Sequence, residues 1–302
     1  MVVDTHTHIY SPDERRYPPA ERLLTLGYAG PPMKGPLRPT GKASLEDLKA
    51  EIDANGVDAV CLIQTGTFYK FDNRYVCDSA RANSRWTAGV CAFDPDDPHS
   101  PGMLASHVRD FGIRGLRSYP ANEGRGSLDS PGVKALWKAA LDLGVVADVL
   151  ISWTHPKLGW YWGREHLDGL HSMLDQFPRL PVVLEHCLSM QAGHPDSEPA
   201  LAALLHLSRH KNLYAKLSFV AAGSRSGYPC EDLHDVCLKI IAAFGPERCV
   251  WGSAYPSGLW TPGVSYAQHL RIFTKHLPLK EEARVEILGG TAQRLWFSGW
   301  KR

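Results

Sequence analysis

The sequence lacks the features that mark membrane-spanning and nucleic-acid-binding proteins. Its 302 residues contain no apolar run as long as a membrane span, and no charged-then-apolar leader precedes the first predicted strand. Lysine and arginine (33) nearly balance aspartate and glutamate (32), so the net charge of +1 gives no attraction to nucleic acid or to an anionic membrane surface. We therefore expect a cytoplasmic protein that acts on a small molecule, without a nucleic-acid or membrane partner.

Paired cysteines are also absent. The seven cysteines are scattered along the chain, and no two of them have the C-x-x-C spacing of a metal or redox motif. Several lie inside apolar, strand-like segments, where cysteine behaves as a small buried hydrophobic residue. The sequence therefore predicts free thiols in a reducing compartment.

The chain instead contains a regular alternation of apolar segments and amphipathic helical patterns. Eight segments are typical of parallel strands that are covered on both faces, and they span residues 2–9, 57–64, 86–93, 113–118, 145–151, 181–187, 212–218 and 248–253. This alternation predicts an α/β fold, a (β/α)8 TIM barrel that forms a single domain over residues 1–302. A doubly wound open sheet is the alternative, although no glycine-rich phosphate loop follows the first strand.

The helical segments carry recognisable start and stop signals. Ser44 is a candidate N-cap, Asp47 occupies the capping-box position, and Gly56 ends the first helix. Further helical patterns cover residues 131–143, 166–177, 198–210 and 232–244, and a C-terminal helical region covers residues 263–302. The long loop of residues 11–41 follows the first strand and is either a partial lid or a passive surface excursion.

Polar side chains follow almost every predicted strand. Because the carboxyl ends of barrel strands meet at one face, we expect these side chains to converge on one pocket. His6 and His8 lie two residues apart, hence on one face of the first strand, and could form two arms of a metal site. The polar residues at the successive strand ends are His6, His8 and Tyr10; Gln64 and Thr65; Asp94; Arg117, Ser118 and Tyr119; Ser152, Trp153 and His155; Glu185 and His186; Lys216 and Ser218; Ser253 and Tyr255.

Four sequence blocks resemble a known family. They are Val-Asp-Thr-His-Thr-His, Pro-Val-Val-Leu-Glu-His-Cys, Asn-Leu-Tyr-Ala-Lys-Leu-Ser and Glu-Arg-Cys-Val-Trp-Gly-Ser-x-Tyr-Pro, in this order along nearly the whole chain. They are similar to the amidohydrolase superfamily, in its "amidohydrolase 2" branch of lactonases, pyrone-dicarboxylate-type lactone hydrolases and related decarboxylases. The resemblance implies a (β/α)8 barrel that in many relatives holds one divalent metal, usually zinc, whereas some lactone hydrolases of the branch work without a metal.

The resemblance also implies roles for particular residues. Metal ligands would be His6, His8 and His186, and Lys216 would lie near the developing oxyanion. Arg117 would clamp a substrate carboxylate or carbonyl, or would instead form an ion pair that joins two strands. Asp148 would support a neighbouring group. The remaining candidates for substrate contacts are Tyr10, Gln64, Tyr119, Trp153, His155 and Tyr255.

One position departs from the family pattern. The last block ends Gly-Ser-Asp-x-Pro in the family, but Ala254 stands here where the general-base aspartate is expected. Three explanations are open: an inactivated Asp-to-Ala form, an enzyme with another base (Glu185, His155 or Asp148), or a binding protein that has lost its chemistry. We favour the first, because the other site residues are intact.

The functional expectation is the hydrolysis of a lactone, a cyclic ester, by attack of water in the barrel mouth. Metal-dependent decarboxylation of an aromatic or unsaturated acid is one alternative. A catalytically silent small-molecule binding protein is another. The resemblance also leaves a homo-oligomer open, because barrels of this class commonly self-associate.

Overall fold

Eight parallel strands form a nearly closed (β/α)8 barrel. The computed structural model describes residues 1–21, 35–124, 126–151 and 164–299, which form a single domain. The strands pair in chain order, so the barrel prediction is confirmed and the doubly wound sheet is wrong. The strands are β1 (Val3–Thr7), β2 (Ala59–Ile63), β3 (Thr87–Ala92), β4 (Gly115–Ser118), β5 (Val146–Val149), β6 (Val182–Leu184), β7 (Leu213–Lys216) and β8 (Cys249–Val250).

Thirteen α-helices lie within the part of the chain that the structure describes. They are α1 (Leu45–Ala54), α2 (Arg74–Ala82), α3 (Ser100–Phe111), α4 (Ala121–Gly124), α5 (Pro131–Leu143), α6 (Arg164–Gln176), α7 (Ser197–Leu207), α8 (Val220–Gly223), α9 (His234–Phe244), α10 (Ser257–Trp260), α11 (Tyr266–Arg271), α12 (Glu281–Val285) and α13 (Thr291–Trp296). Two π-helical turns, Ile272–His276 and Glu286–Gly290, interrupt the predicted C-terminal helical region.

The predicted helices agree with the structure most closely where their caps are strong. Ser44 and Asp47 form the expected capping box at the start of α1, and α5 has the predicted bounds. The sequence patterns missed α2 and α3. Helix α3 fully buries only Ser100 and Leu104, with Val108 and Phe111 half-buried against the core, so its apolar stripe is short.

Irregular hydrogen bonds close the barrel between β8 and β1. The backbone N–H of Thr5 donates to the Trp251 carbonyl (3.1 Å), and that of His8 donates to the Tyr255 carbonyl (2.9 Å). The buried Asp4 carboxylate accepts the backbone N–H of Ser253 (2.9 Å). These contacts hold the chain after β8 beside the first strand.

A register shift in β1 determines which way its histidines face. The pairing with β2 slips between Asp4 and Thr7, the signature of a bulge. Val3 packs in the inner apolar cluster, so regular alternation would turn Thr5 and Thr7 inward and His6 outward. The bulge lets His6 enter the barrel interior, where it faces Glu185.

The barrel interior has an apolar lower part. Its side chains come mainly from the beginnings of the strands, and α13 covers this end. Trp296 lies fully inside the packing, next to the first residue of β4. The main members of this floor cluster are Val3, Ala59, Cys61, Val90, Val146, Val183, Val250, Trp296 and Phe297.

All seven cysteines are free and buried, as predicted. Among the described residues, no helix combines the length and the apolar character needed to cross a membrane. The 11–41 loop is described only in part, since residues 22–34 lie outside the described residues. On either side of that gap it follows the chain after β2, where the backbone N–H groups of Ala20 and Leu37 donate to the carbonyls of Phe68 and Thr67.

Candidate active site

A pocket opens at the carboxyl ends of the strands, as the barrel fold predicts. It encloses about 710 Å³ of space free of protein atoms, part of it open to solvent. One side is polar and the other is apolar. The polar lining is His6, His8, Thr65, Thr67, Arg117, His186, Ser189 and Ser218, and the larger apolar side chains are Leu150, Met190, Phe219 and Trp260.

Three imidazoles meet at the bottom of this pocket. The ring centre of His6 lies 4.9 Å from that of His8 and 4.4 Å from that of His186. Nδ1 of His8 donates to the Ile63 carbonyl (2.8 Å), which leaves Nε2 with a lone pair. Nδ1 of His186 lies 2.8 Å from the Ser218 hydroxyl oxygen, which fixes the orientation of that ring.

His6 is the most unusual of the three. It is fully buried, and neither ring nitrogen has a hydrogen-bond partner among the described residues. Its Nδ1 lies 3.8 Å from Oε1 of Glu185. Burial and the neighbouring His186 and Lys216 hold the pKa of His6 well below its usual range, and burial with Arg117 lowers the pKa of His8 to about 3. His6 and His8 are therefore neutral at physiological pH, the form of imidazole that binds a cation or holds a water molecule.

The same end of the barrel holds a buried ion pair that reaches the pocket. Nε and Nη2 of Arg117 donate to one oxygen of Glu185 (3.1 and 2.7 Å), and Nη1 donates to the Gln64 carbonyl (2.6 Å). Burial alone would lower the pKa of Arg117, but the Glu185 carboxylate outweighs it and raises that pKa. Arg117 thus joins β4 to the end of β6 and lines the pocket as well.

A second buried ion pair lies beneath the first. The ammonium group of Lys216 contacts Asp148 across the interior and lies 4.0 Å from Oε1 of Glu185. Burial raises the pKa of Asp148 to about 6, although Lys216 opposes this shift. Lys216 is not among the residues that line the pocket, and its ammonium group faces Asp148 and Glu185.

Backbone strain is concentrated at the mouth. Four consecutive residues, 186–189, have positive φ angles between 46° and 64°, a conformation that is costly for side chains with a Cβ. This turn brings His186 and Ser189 to the pocket. Ala254 also lines the pocket and has a φ of 56°, in the left-handed region where asparagine and aspartate are enriched.

Other predicted site residues lie behind the pocket wall. The Gln64 amide donates to the carbonyls of Lys70 (3.1 Å) and Asp72 (2.8 Å), so it is used in a loop. Tyr10 packs on Phe68, and the Tyr255 hydroxyl donates to the Lys42 carbonyl (3.4 Å). Tyr119 lies beside Arg117, with burial raising the pKa of its hydroxyl to about 12. Trp153 and His155 lie outside the described residues.

The sequence reasoning overlooked several lining residues. Thr67, Ser189, Met190 and Phe219 belong to the segments that leave β2, β6 and β7, and Trp260 ends α10, which follows β8. Their signal was position alone, since each lies between a strand end and the next long helix. Nothing in their chemistry distinguishes them from other loop residues.

The donor set fits one divalent metal. His6, His186 and Glu185 bring ligand atoms within 4.8 Å of one another, and His8, the residue after β1, presents Nε2 beside them. Both ring nitrogens of His6 are buried without a hydrogen bond among the described residues, and a cation would satisfy one of them. Three imidazole nitrogens with one open position are typical of hydrolytic zinc, although the family's aspartate ligand is absent at Ala254.

These features define a (β/α)8-barrel protein with a histidine-rich candidate active site at the strand ends. The chain belongs to the amidohydrolase family, whose model matches residues 3–297. A curated relative is the L-fucono-1,5-lactonase of Burkholderia ambifaria, which is 27% identical over 304 residues, covering 98% of this chain and 92% of the relative. The sequence-based resemblance is therefore confirmed.

Solved structures share the fold. A putative 2-pyrone-4,6-dicarboxylic acid hydrolase from Pseudomonas putida is 22% identical, with a TM-score of 0.74 over 100% of this chain and 98% of that one. An amidohydrolase from Burkholderia multivorans with bound zinc is 20% identical, with a TM-score of 0.71 over 98% of both chains. At these identities the likeness shows the common barrel.

Proposed function

We propose that this pocket hydrolyses a lactone. The observation that carries the proposal is the meeting of three imidazoles, from His6, His8 and His186, with the Arg117 guanidinium in one pocket. The lactonase relative, similar over nearly the whole chain, supports the same reaction class.

The roles of the residues follow from their hydrogen bonds. The Ile63 carbonyl accepts the Nδ1 proton of His8, so Nε2 of His8 carries a lone pair, and Ser218 orients the ring of His186. The imidazoles would hold the attacking water against the carbonyl carbon of the substrate. A divalent metal held by the three histidines would supply Lewis-acid polarisation of that carbonyl. The Burkholderia multivorans amidohydrolase, whose structure contains bound zinc, has the same fold.

Arg117 is the proposed oxyanion stabiliser. Its charge is buried and lines the pocket, where negative charge develops on the carbonyl oxygen during attack. Glu185 and the Gln64 carbonyl fix the plane of its guanidinium. The ring oxygen of the lactone then leaves with the proton taken from water, and a hydroxy acid results.

Position 254 is the proposed place of the proton acceptor, which alanine cannot provide. Of the alternative bases, Glu185 is held by Arg117 and Asp148 is held by Lys216, and neither lines the pocket. The third, His155, lies outside the described residues. The left-handed backbone of Ala254 suits aspartate better than alanine. We infer that this chain is an Asp-to-Ala form with little or no activity.

The test is to restore the carboxylate. Ala254→Asp is expected to raise lactone hydrolysis over the present chain by about 10²–10⁴-fold, the usual contribution of a positioned general base. Ring opening of a lactone panel, followed by mass spectrometry, would show the gain of one water molecule. Metal content is measured on the same protein.

The matched control is Ala222→Asp, which adds a carboxylate at another alanine of the same pocket. It is expected to leave hydrolysis at the level of the present chain. Inertness of Ala254→Asp toward the whole panel, with its fold intact, would contradict the proposal. Ligand binding without turnover would then favour the silent binding protein.

Decarboxylation is the second candidate, and the large apolar side chains of the lining are the observation behind it. Leu150, Met190, Phe219 and Trp260 would pack against the ring of a flat aromatic acid. Carbon dioxide release by Ala254→Asp, without ring-opened product, would select this reaction over lactone hydrolysis.

A further inference from the structure

One buried carboxylate joins the two segments that carry His6 and position 254. Asp4 lies in β1 and is fully buried. Its Oδ1 accepts the backbone N–H of His6 (3.1 Å) and also that of Ser253 (2.9 Å), which follows β8. His6 lines the pocket, and so does Ala254, the residue after Ser253. A single oxygen therefore fixes the backbone at two points of the pocket lining.

The contact with His6 lies inside the bulge of β1. Between Asp4 and Thr7 the first strand has two residues where β2 has one. A bulge leaves a residue out of the regular ladder, and a buried backbone N–H needs an acceptor. The Asp4 carboxylate is that acceptor for His6. Asp4 therefore stabilises the local conformation that lets the His6 ring enter the pocket.

The close approach of the chain after β8 to His6 is a second, independent observation. A Cβ on Gly252 would lie 2.7 Å from the Cβ of His6 and 3.2 Å from its backbone nitrogen. The first distance is too short for two carbon atoms that are not bonded, so only glycine fits here without displacing His6. The position of His6 thus depends on the segment that also carries position 254.

The contact with Ser253 determines where position 254 lies. The Ser253 hydroxyl accepts the backbone N–H of Tyr255 (3.0 Å), and the Ser253 N–H donates to Asp4. Ala254 lies between these two anchored residues, with a φ of 56°. The backbone at position 254 is therefore held in a fixed place relative to His6.

We propose that Asp4 is a positioning residue of the candidate active site. Its Oδ1 holds His6 and position 254 in one arrangement, so that an imidazole and a carboxylate restored at 254 can act on one substrate molecule. This inference rests on the proposed function. Both partners of Oδ1 are uncharged backbone N–H groups, so the role requires an acceptor oxygen. Asparagine supplies such an oxygen, whereas alanine does not.

The test introduces Asp4→Ala and Asp4→Asn into the Ala254→Asp protein and measures lactone hydrolysis in the presence of Zn²⁺. Asp4→Ala is expected to lower kcat by about 10²-fold and to change KM little, because a displacement of about 1 Å at reacting groups costs about that much. Asp4→Asn should retain most of the kcat. Gly252→Ala should also lower kcat, because its methyl group displaces His6 by another route.

Thr5→Val is the matched control for a general weakening of the fold. The Thr5 hydroxyl donates to the Trp251 carbonyl (2.7 Å), a contact that also joins β1 to the chain after β8. Thr5→Val should lower the midpoint of urea unfolding, as Asp4→Ala does, but should leave kcat nearly unchanged. An equal loss of kcat in Thr5→Val and Asp4→Ala would overturn the proposal. So would an Asp4→Asn protein as impaired as Asp4→Ala, or an Asp4→Ala protein as active as its parent.

Two measurements on the present chain keep this test separate from the proposed function. Zn²⁺ affinity, measured by calorimetry, should fall by about tenfold or more in Asp4→Ala and stay near its present value in Asp4→Asn. Amide hydrogen exchange at His6 and Ser253 should become faster in Asp4→Ala and remain slow in Asp4→Asn. An inert Ala254→Asp protein would count against lactone hydrolysis, and these two measurements would then decide on Asp4. Unchanged exchange at both amides in Asp4→Ala would overturn the positioning role.

Discussion

The two ends of the barrel interior are formed by different kinds of residues. The mouth holds three histidines, two buried ion pairs and a run of positive φ angles. The floor cluster is packed from valine, alanine and cysteine, and Trp296 closes it. Both ends contain fully buried side chains, yet among the described residues the mouth has far more of the strained backbone and of the buried polar atoms without hydrogen bonds.

This difference indicates that the floor of the barrel mainly stabilises the fold, whereas the mouth contains the groups that can carry out chemistry. Polar groups without partners and left-handed residues cost free energy of folding, so a protein keeps them where chemistry requires them. Apolar packing at the floor contributes stability without chemistry. Changes at the floor should therefore lower the free energy of unfolding, whereas changes at the mouth should alter binding and reaction and can raise that free energy.

The largest expected effect is at the floor. Trp296→Ala should lower the free energy of unfolding by about 3–5 kcal/mol, because it opens a large cavity under the barrel. Urea unfolding of the full chain measures this. Trp260→Ala is the matched control, since that tryptophan lines the mouth and is half-buried. A smaller stability change is expected there, together with weaker ligand binding, and equal losses for both would break the comparison.

A buried histidine that belongs to neither the mouth nor the floor of the barrel tests whether a shifted pKa identifies a functional site. His269 on α11 accepts a hydrogen bond from the Trp251 indole N–H (2.9 Å), and burial lowers its pKa to about 4. Between pH 6.5 and pH 4 the His269 imidazole becomes protonated in the unfolded chain but stays neutral in the folded chain. Stability is therefore lost as the pH falls, approaching about 3 kcal/mol from this group.

The measurement is urea unfolding between pH 7.5 and pH 4.5. His269→Gln keeps an acceptor for Trp251 and should show a shallower loss of stability with acid than the present chain. His99→Gln, at an exposed position, should leave the slope unchanged. An unchanged slope in His269→Gln would show that this ring is already protonated in the folded chain. A confirmed effect would mean that burial alone, away from any chemistry, produces such a shift.

Replacing a mouth histidine should have the opposite sign in stability. His6→Leu removes two buried nitrogens that lack partners, so the free energy of unfolding should rise by about 1–3 kcal/mol. The same change should abolish reaction in the Ala254→Asp background. His269→Leu is the matched control, because it leaves the buried Trp251 N–H unpaired and should lower stability. Destabilisation by both would mean that His6 makes contacts that stabilise the fold.

The sequence predicted the architecture better than the details of the site. Apolar runs located all eight strands, and the His6 and His8 pair located the mouth, because both signals are local. Helix α3 was not predicted because its apolar stripe is short and Leu104 is the one fully buried apolar residue in it. The bulge in β1 escaped because register depends on the neighbouring strand, yet it lets His6 enter the barrel interior.

Contacts with residues distant in the sequence or in a following loop determine where the other predicted site side chains lie. Lys216 was expected at the oxyanion, but Asp148, 68 positions earlier in the chain, holds its ammonium below the pocket. Gln64 was expected to touch substrate, but its amide is held by the carbonyls of Lys70 and Asp72. A sequence shows which polar residues end the strands, whereas the partners that turn each one toward or away from the pocket are set by packing.

The smallest expected effect is at position 254 itself. Ala254 has a φ of 56°, a conformation that costs an ordinary residue roughly 1–2 kcal/mol and glycine almost nothing. Ala254→Gly should therefore raise the free energy of unfolding by about 1 kcal/mol in urea unfolding, while leaving lactone hydrolysis at its present level. Ala147→Gly, in the middle of β5, should lower it, because glycine is unfavourable inside a strand. Since Ala254→Asp is expected to restore reaction without this gain, the three variants together distinguish strain that serves chemistry from strain that is merely tolerated.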